Sequence, residues 1–369
     1  MRGLLQDYRR EKATMPKFAI DRRDRDVAIL AAAIVTVFAV CMASTGLSAF
    51  RLVSYLANLI LFGYVTLAWL AVWILKMLAI DRPDAPTKVI INTLFRRGLA
   101  PRYISALVIL TSLIAFMPAF SAIKSHMAVF NNFSWDGAFI DLDRQIHGDD
   151  AWRVLQPVVG YPIVTSILSV FYHLWLMLLY VGSFYFVLSQ NPELRQRYFI
   201  AYLLCWSIIG VGLATAFSSV GPCFVEPIIG RQDFQPLMEY LQYANQQYPV
   251  LVLRVQDMLL TKYQTADGSL GSGISAMPSM HVAHAFLFFL AVRRISRAAA
   301  WLFGIFFVVI MIGSVHLAYH YAVDGYVSII VTALIWKLAG WWASKPAKMQ
   351  SIAEMPQDNR YTPLHDKVI

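Results

Sequence analysis

Long apolar runs separated by short polar or basic segments dominate the chain. Stretches near 27–48, 52–79, 103–123, 162–189, 198–220, 298–318 and 321–343 are each long enough to cross a hydrocarbon core of about 30 Å, which takes about 20 helical residues. A further run near 279–293 is short, holds His281 and His284, and ends on Arg293 and Arg294. It is predicted to span as well, its first turn lining a polar cavity while the arginines snorkel to the far interface. The pattern predicts an all-α fold: a polytopic membrane bundle of about eight transmembrane helices, with interfacial helices on one side.

Two longer segments interrupt the apolar runs. Between residues 131 and 156, Phe139, Ile140, Leu142 and Ile146 alternate with acids, which predicts a helix lying at the interface, placed over the site as a lid. Between 234 and 264, Leu237, Tyr240, Leu241 and Ala244, then Leu251, Leu253, Val255, Met258 and Leu259, recur near the helical period. Gly268 to Gly273 reads as a flexible approach to the turn at Pro278. With no internal repeat or low-complexity tract, the chain divides into a basic arm (1–27), one integral membrane domain (28–344, catalytic motifs 217–325) and a polar tail (345–369).

Composition agrees with a membrane protein: 58% of the 369 residues are hydrophobic and 14% charged, where a soluble domain carries about a quarter charged. A net charge of +9 invites a nucleic-acid reading, but the basic residues fall between apolar runs, so no nucleic-acid partner is expected. Arg82, Lys88, Arg96, Arg97 and Arg102 lie between the second and third runs, Arg195 and Arg197 between the fourth and fifth, and Arg293, Arg294 and Arg297 at the end of the short run near 279–293 and just beyond it. Together with the arm and with Lys345 and Lys348 they all land on one side, which the positive-inside rule makes the cytoplasm. Both termini are then cytoplasmic, the protein sits in the plasma membrane (the inner membrane of a bacterium), and the motifs face its outer, periplasmic side. The first run starts too late and is too long for a cleavable signal peptide. Three cysteines, Cys41, Cys205 and Cys223, suggest neither a disulfide framework nor a Cys-based metal site. Membrane lipids are the expected surroundings, and the oligomeric state is not legible.

The chemistry gathers near the C-terminal third. His320 and Asp324 are four apart with no Pro or Gly between them, so on a helix the carboxylate lies one turn beyond the imidazole on the same face. This suits an Asp that orients a nucleophilic or basic His. Pro278 and Ser279 are helix-start residues that place His281 in a first turn, where free N–H groups and the helix dipole favour an anion. A His at a phosphate site is the chemical reading. His284 and His316, one turn from these, are expected to support or line the cavity. The spacings of the four also admit a metal site, against the expectation of no metal and no cofactor. His173 reads as a helix-packing residue. A transporter is the non-enzyme alternative, but it would show polar, broken helices in paired halves near mid-membrane, whereas the ionisable residues here collect at one face.

Pro278-Ser279-Met280-His281 followed by His320-Tyr-Ala-Val-Asp324 resembles the PAP2 lipid phosphatase and phosphotransferase superfamily, whose second motif reads Pro-Ser-Gly-His and whose third ends His-x-x-x-Asp. Met280 replaces the usual Gly, and Gly313-Ser314-Val315 stands where a Ser-Arg pair is often found. Both departures look like the branch of inositol-phosphorylceramide synthases and their bacterial relatives. The resemblance is specific over the C-terminal third and weak before Phe217. It implies that His320 attacks phosphorus to form a phosphohistidine, that Asp324 holds its other ring nitrogen, and that His281 protonates the leaving oxygen. Ser279 and the N–H groups beside it would hold phosphoryl oxygens. The implied substrate is a phospholipid, sphingolipid or polyprenyl phosphate, with transfer to an acceptor expected and hydrolysis as the alternative. The family's first motif, Lys-x6-Arg-Pro, is missing: Lys76 and Arg82-Pro83 are one residue short and fall on the cytoplasmic side. Arg231, Arg254 and Lys262 are the candidate cations, and Arg254 is chosen because Arg254-Val-Gln-Asp257 is similar to an Arg-Ile-Asp element of those synthases. Phe217 to Pro222 stands where they carry a Pro-rich turn, expected to position backbone beside the site.

Overall fold

A computed structural model describes residues 20–50, 52–95, 100–265 and 273–344, with side chains of 92–103 left aside. Most of the basic arm, the tail, Arg96, Arg97 and the approach at 266–272 lie outside the described residues. Among the described residues seven helices are long and apolar enough to span a membrane. In chain order these and the intervening helices are α1 (Arg22–Ser44), α2 (Leu52–Asp81), α3 (Ala100–Ser125), α4 (Asp136–His147), α5 (Ala151–Val159), α6 (Pro162–Val187), α7 (Pro192–Ala216), α8 (Gln235–Gln247), α9 (Val252–Gln264), α10 (Met280–Val292), α11 (Arg297–His316) and α12 (Ala322–Ala343). No strand occurs among the described residues.

The short helix α10 is central. It packs against α7, α11 and α12, and all but a few of its side chains are buried, as a helix that is apolar all round requires. At 13 residues it is about 20 Å long, and the segment 273–279 before it is irregular backbone, mostly buried in protein. Such backbone survives at membrane depth only when its polar groups are paired. Here Ala276 N–H donates to the Ser219 carbonyl (3.0 Å), Met277 N–H to Ser219 Oγ (3.1 Å) and Ser279 N–H to the Asp324 carbonyl (3.4 Å). The Met277–Pro278 peptide is cis. Outside this core, α1 packs on α3 and α7, and α2 on α3.

Helix starts carry the caps their sequences announce. Asn191 Oδ1 accepts from Leu194 N–H (3.0 Å) ahead of Pro192, and Ser296 Oγ accepts from Ala299 N–H (3.4 Å), each satisfying a donor with no partner in its own helix. The first of these moves the start of α7 ahead of the 198 expected from hydropathy and draws Arg195 and Arg197 into the helix. Arg195 makes a two-pronged pair with Asp24 of α1, both contacts 2.8 Å, with the two side chains 6% and 0% exposed. Arg197 lies over the Trp336 ring at 4.0 Å and donates to its carbonyl (3.0 Å). A buried partner for a guanidinium cannot be read from local hydropathy.

Successive crossings place the turns near residues 45–50, 126–161, 217–279 and 317–321 at one end of the bundle. Arg82, Lys88, Arg195, Arg197, Arg293, Arg294 and Arg297 lie at or near the other. Helices α4, α5, α8 and α9 belong to the first end, where α4 packs on α12, α5 on α11 and α8 on α6. The three cysteines are free thiols.

Candidate active site

His320 sits in the turn between α11 and α12. Its N–H and that of Tyr319 both donate to the Ser314 carbonyl (3.0 and 3.1 Å), so residue 314 serves the site through its backbone. The ring's Nδ1 stands 2.9 Å from the Ala276 carbonyl and 3.2 Å from Asp324 Oδ2. A carbonyl only accepts, so Nδ1 carries the proton and Nε2 keeps its lone pair. Asp324 Oδ2 also accepts from Tyr321 N–H (3.1 Å), which fixes the carboxylate in the first turn of α12. Burial pushes the His320 imidazole down to about 3, the Lys124 ammonium acts the same way, and the Ala276 contact opposes them. The ring is therefore neutral in the folded protein.

His281 occupies the first turn of α10. Its ring centroid lies 5.9 Å from that of His320, 4.3 Å from Tyr172 in a stacked pair and 4.2 Å from Trp175. Two aromatic faces from α6 thus fix the imidazole plane. Ser279 is fully buried, and its Oγ accepts from Val282 N–H (3.4 Å). It does not line the cavity; it caps α10, leaving the first N–H groups of that helix without a partner inside it.

Both histidines line a cavity of about 310 Å3. Its polar end holds His281, His320, Ser275 and Lys124, the last at the end of α3; its apolar end runs along Met117, Leu176, Leu179 and Trp206. Leu176 lines the cavity and is also 56% exposed on α6. Two π-helical stretches, Leu178–Gly182 and Cys205–Leu213, flank it, as such stretches often do at functional sites. Gly210 in the second lets Met280 fit: a Cβ there would stand 2.9 Å from the Phe120 ring and 3.2 Å from Met280 Sδ.

The structure does not bring Arg254 to this cavity. α9 turns Val255 and Leu259 towards it and anchors Gln256 Nε2 on the Leu317 carbonyl (2.8 Å), which leaves Arg254 exposed on another face. Arg231 is likewise occupied, paired with Asp233 at 2.8 Å, whose carboxyl it holds below its ordinary value. Among the described residues, Lys124 is the cation that lines the cavity. The pattern hid it, because a lone Lys closing an apolar helix reads as a snorkelling anchor.

Helix α4 is not the lid that its amphipathic pattern predicts; none of its residues lines the cavity. Asp136 and Asp143, two turns apart on one face, reach instead into the backbone that holds the site. Asp136 accepts from Val220 and Gly221 N–H (3.0 Å each) and from the Tyr321 hydroxyl (2.7 Å). Asp143 accepts from Ala322 and Val323 N–H (2.8 and 3.0 Å) and so caps α12 immediately before Asp324. The 217–222 turn does position backbone beside the site: Gly221 has φ +88°, and a Cβ there would meet the Tyr319 carbonyl oxygen at 2.6 Å.

His284 is buried beneath His281 with Nε2 3.3 Å from the Tyr198 hydroxyl, and His316 Nε2 meets Thr165 Oγ1 at 2.9 Å. His173 Nδ1 bonds to the Ser169 carbonyl (2.9 Å). Tyr198 belongs to α7 and Thr165 and Ser169 to α6, and no group of three or more His, Cys, Asp or Glu placed to hold a metal ion occurs among the described residues.

The family model described as PAP2 superfamily matches residues 137–338, more than half of the chain. The match begins well ahead of Phe217 and takes in α4. Comparison with curated proteins gave no match, and comparison with solved structures gave none either.

Proposed function

Because the chain belongs to the PAP2 superfamily, we propose that it is a membrane enzyme that moves a phosphoryl or phospho-head group from or to a lipid through a phosphohistidine. The observation that carries this reading is the His320 ring, with Nδ1–H engaged by Ala276 and Asp324 and Nε2 left bare in a residue that lines the cavity.

In the first step the Nε2 lone pair forms a bond to phosphorus while the bond from phosphorus to the leaving oxygen breaks. That oxygen takes its proton from His281, whose protonated form the bound anionic phosphate favours. Asp324 and the Ala276 carbonyl favour the positive charge that develops on the His320 ring. Lys124 and the first N–H groups of α10, capped by Ser279, face the phosphoryl oxygens. In the second step His281, now neutral, removes a proton from the acceptor, whose oxygen displaces His320 from phosphorus. The same two imidazoles serve both steps, and no step requires a metal or a cofactor.

The substrate class follows from the cavity's two ends. A phosphate lies among His281, His320 and Lys124, and hydrocarbon lies along Leu176, Leu179 and Met117, all of which line the cavity. The departures at Met280 and at Gly313-Ser314-Val315 support transfer to an alcohol, as in inositol-phosphorylceramide synthases, over transfer to water. The basic end of the bundle supports placing that end in the cytoplasm and the histidines on the outer face of the plasma membrane.

Rapid-quench analysis with a labelled lipid phosphate tests the reading. Wild-type protein should accumulate acid-labile, base-stable phosphoprotein, and His320→Ala should form none. Undiminished labelling in His320→Ala would overturn it. Lys124→Ala should still label, with kcat/KM lower by about 10- to 100-fold, the loss of one charge-assisted contact.

A further inference from the structure

At the end of the bundle away from the histidines, α10 closes on Arg293 and Arg294, and α11 opens on Arg297 after Ser296. Arg293 and Arg297 stand at the mouth of a trough of about 580 Å3 that runs on along α11 past Trp301, Gly304, Ile305 and Val308. The trough exists because of Gly304, where a Cβ would stand 3.3 Å from the Phe289 ring of α10. Its walls face outwards: Trp301 and Ile305 are 76% and 60% exposed.

The arginines above it are exposed, and none of Arg293, Arg294 and Arg297 has an ion-pair partner among the described residues. This separates them from Arg195, which Asp24 neutralises. The start of α11 contributes N–H groups that have no partner within the helix, and a dipole that favours an anion. Cationic groups at one end of an open apolar trough match a ligand with an anionic head and a hydrocarbon chain.

We propose that this trough binds one phospholipid with an anionic headgroup, its phosphate between Arg293 and Arg297 and one acyl chain along Trp301 to Val308. The site lies in the leaflet opposite the catalytic histidines, separated from them by the length of α10, about 20 Å. A zwitterionic lipid would bring an ammonium to the same arginines and bind more weakly.

Native mass spectrometry of the full-length protein in detergent tests this, with phosphatidylglycerol and phosphatidylcholine of identical acyl chains added separately. One phosphatidylglycerol should be retained at a concentration at least tenfold lower than phosphatidylcholine requires. The double substitution Arg293→Gln/Arg297→Gln should remove that preference. Gly304→Leu, which fills the trough and leaves every charge in place, should lower retention of the anionic lipid at least tenfold. Equal retention of the two lipids by wild-type protein would overturn the proposal. So would retention that survives Gly304→Leu, which would mean a headgroup contact with no seated chain. A change in oligomeric mass on Gly304→Leu, with lipid count unchanged, would make the trough a seam between copies of the chain and overturn the proposal too. None of these readouts depends on turnover, so their failure leaves the catalytic reading untouched.

Discussion

The nucleophilic role proposed for Nε2 of His320 requires that it carry no proton, and the folded protein keeps it bare. Burial lowers the folded pKa to about 3 from the ordinary 6.5. As pH falls through that interval the unfolded chain takes up a proton that the native ring refuses. The contribution of His320 to stability is thus complete above 6.5 and is lost as pH drops towards 3. Thermal unfolding in detergent between pH 7 and pH 4 should show stability falling with pH, and His320→Gln should flatten the slope. The same argument keeps His320 off the acid limb of a rate profile near neutrality. His281 has the opposite requirement, since it must deliver a proton. His281→Ala should lose about 10²- to 10⁴-fold with an alkyl leaving group, the usual contribution of a positioned acid, and recover with an aryl phosphate whose leaving group needs no proton. His320→Ala should not recover, and Asp324→Asn should be impaired by up to about 10⁴-fold. Aryl rescue of His320→Ala and not of His281→Ala would exchange the two roles. These three residues were legible in the sequence because their relation is local: four residues apart on one turn, or directly after a helix-start pair. Lys124 and Arg254 were not, because which face of a helix meets the cavity depends on how α3 and α9 are rotated, and pattern alone leaves that free.

At the scale of elements, the site is braced by a helix that touches none of its cavity. Asp143 accepts from two N–H groups at the start of α12, so Asp143→Ala strands two buried donors, at about 1–3 kcal/mol each, directly before Asp324. Activity should fall by at least tenfold and unfolding temperature should drop, while Asp141→Ala on the exposed face of α4 should change neither. Equal effects from the two would remove the bracing role. Gly221→Ala meets both a left-handed φ and the Tyr319 carbonyl. It should destabilise by about 1–3 kcal/mol or more, read as a lower unfolding temperature. The amphipathic pattern of α4 announced a helix at the interface, and that helix is present. Its acids pointed to a lid only because carboxylates among apolar residues look like a solvent face. Here the polar positions meet backbone donors about 80 and 180 residues away, a pairing that no local period encodes. The spans, by contrast, were readable because a run of apolar residues is its own signal; seven of the eight predicted are long enough to cross, and the eighth, α10, is a shorter apolar helix.

For the molecule as a whole, the separation of charge gives a direct test of orientation. In a background lacking Cys41, Cys205 and Cys223, Gln246→Cys at the histidine end should react with an impermeant maleimide in intact cells or spheroplasts. Glu193→Cys at the basic end should react only after the membrane is opened. The reverse pattern would invert the topology. A further consequence concerns depth. α10 is about 20 Å long, against a hydrocarbon core of about 30 Å, and Tyr172, which stacks on His281, lies ten residues on from Pro162, about 15 Å along α6. His281 therefore works below the level at which a lipid phosphate rests. On the proposed function, each turnover would have to draw that phosphate inwards, or the bilayer would have to dip to meet it, and the required displacement would grow with the thickness of the surrounding membrane. In vesicles of matched headgroup, turnover should fall as acyl chains lengthen from 14 to about 20 carbons, whereas a short-chain soluble substrate should show no such trend. Membrane thickness then acts on this protein as a rate-setting variable, without binding to it at all.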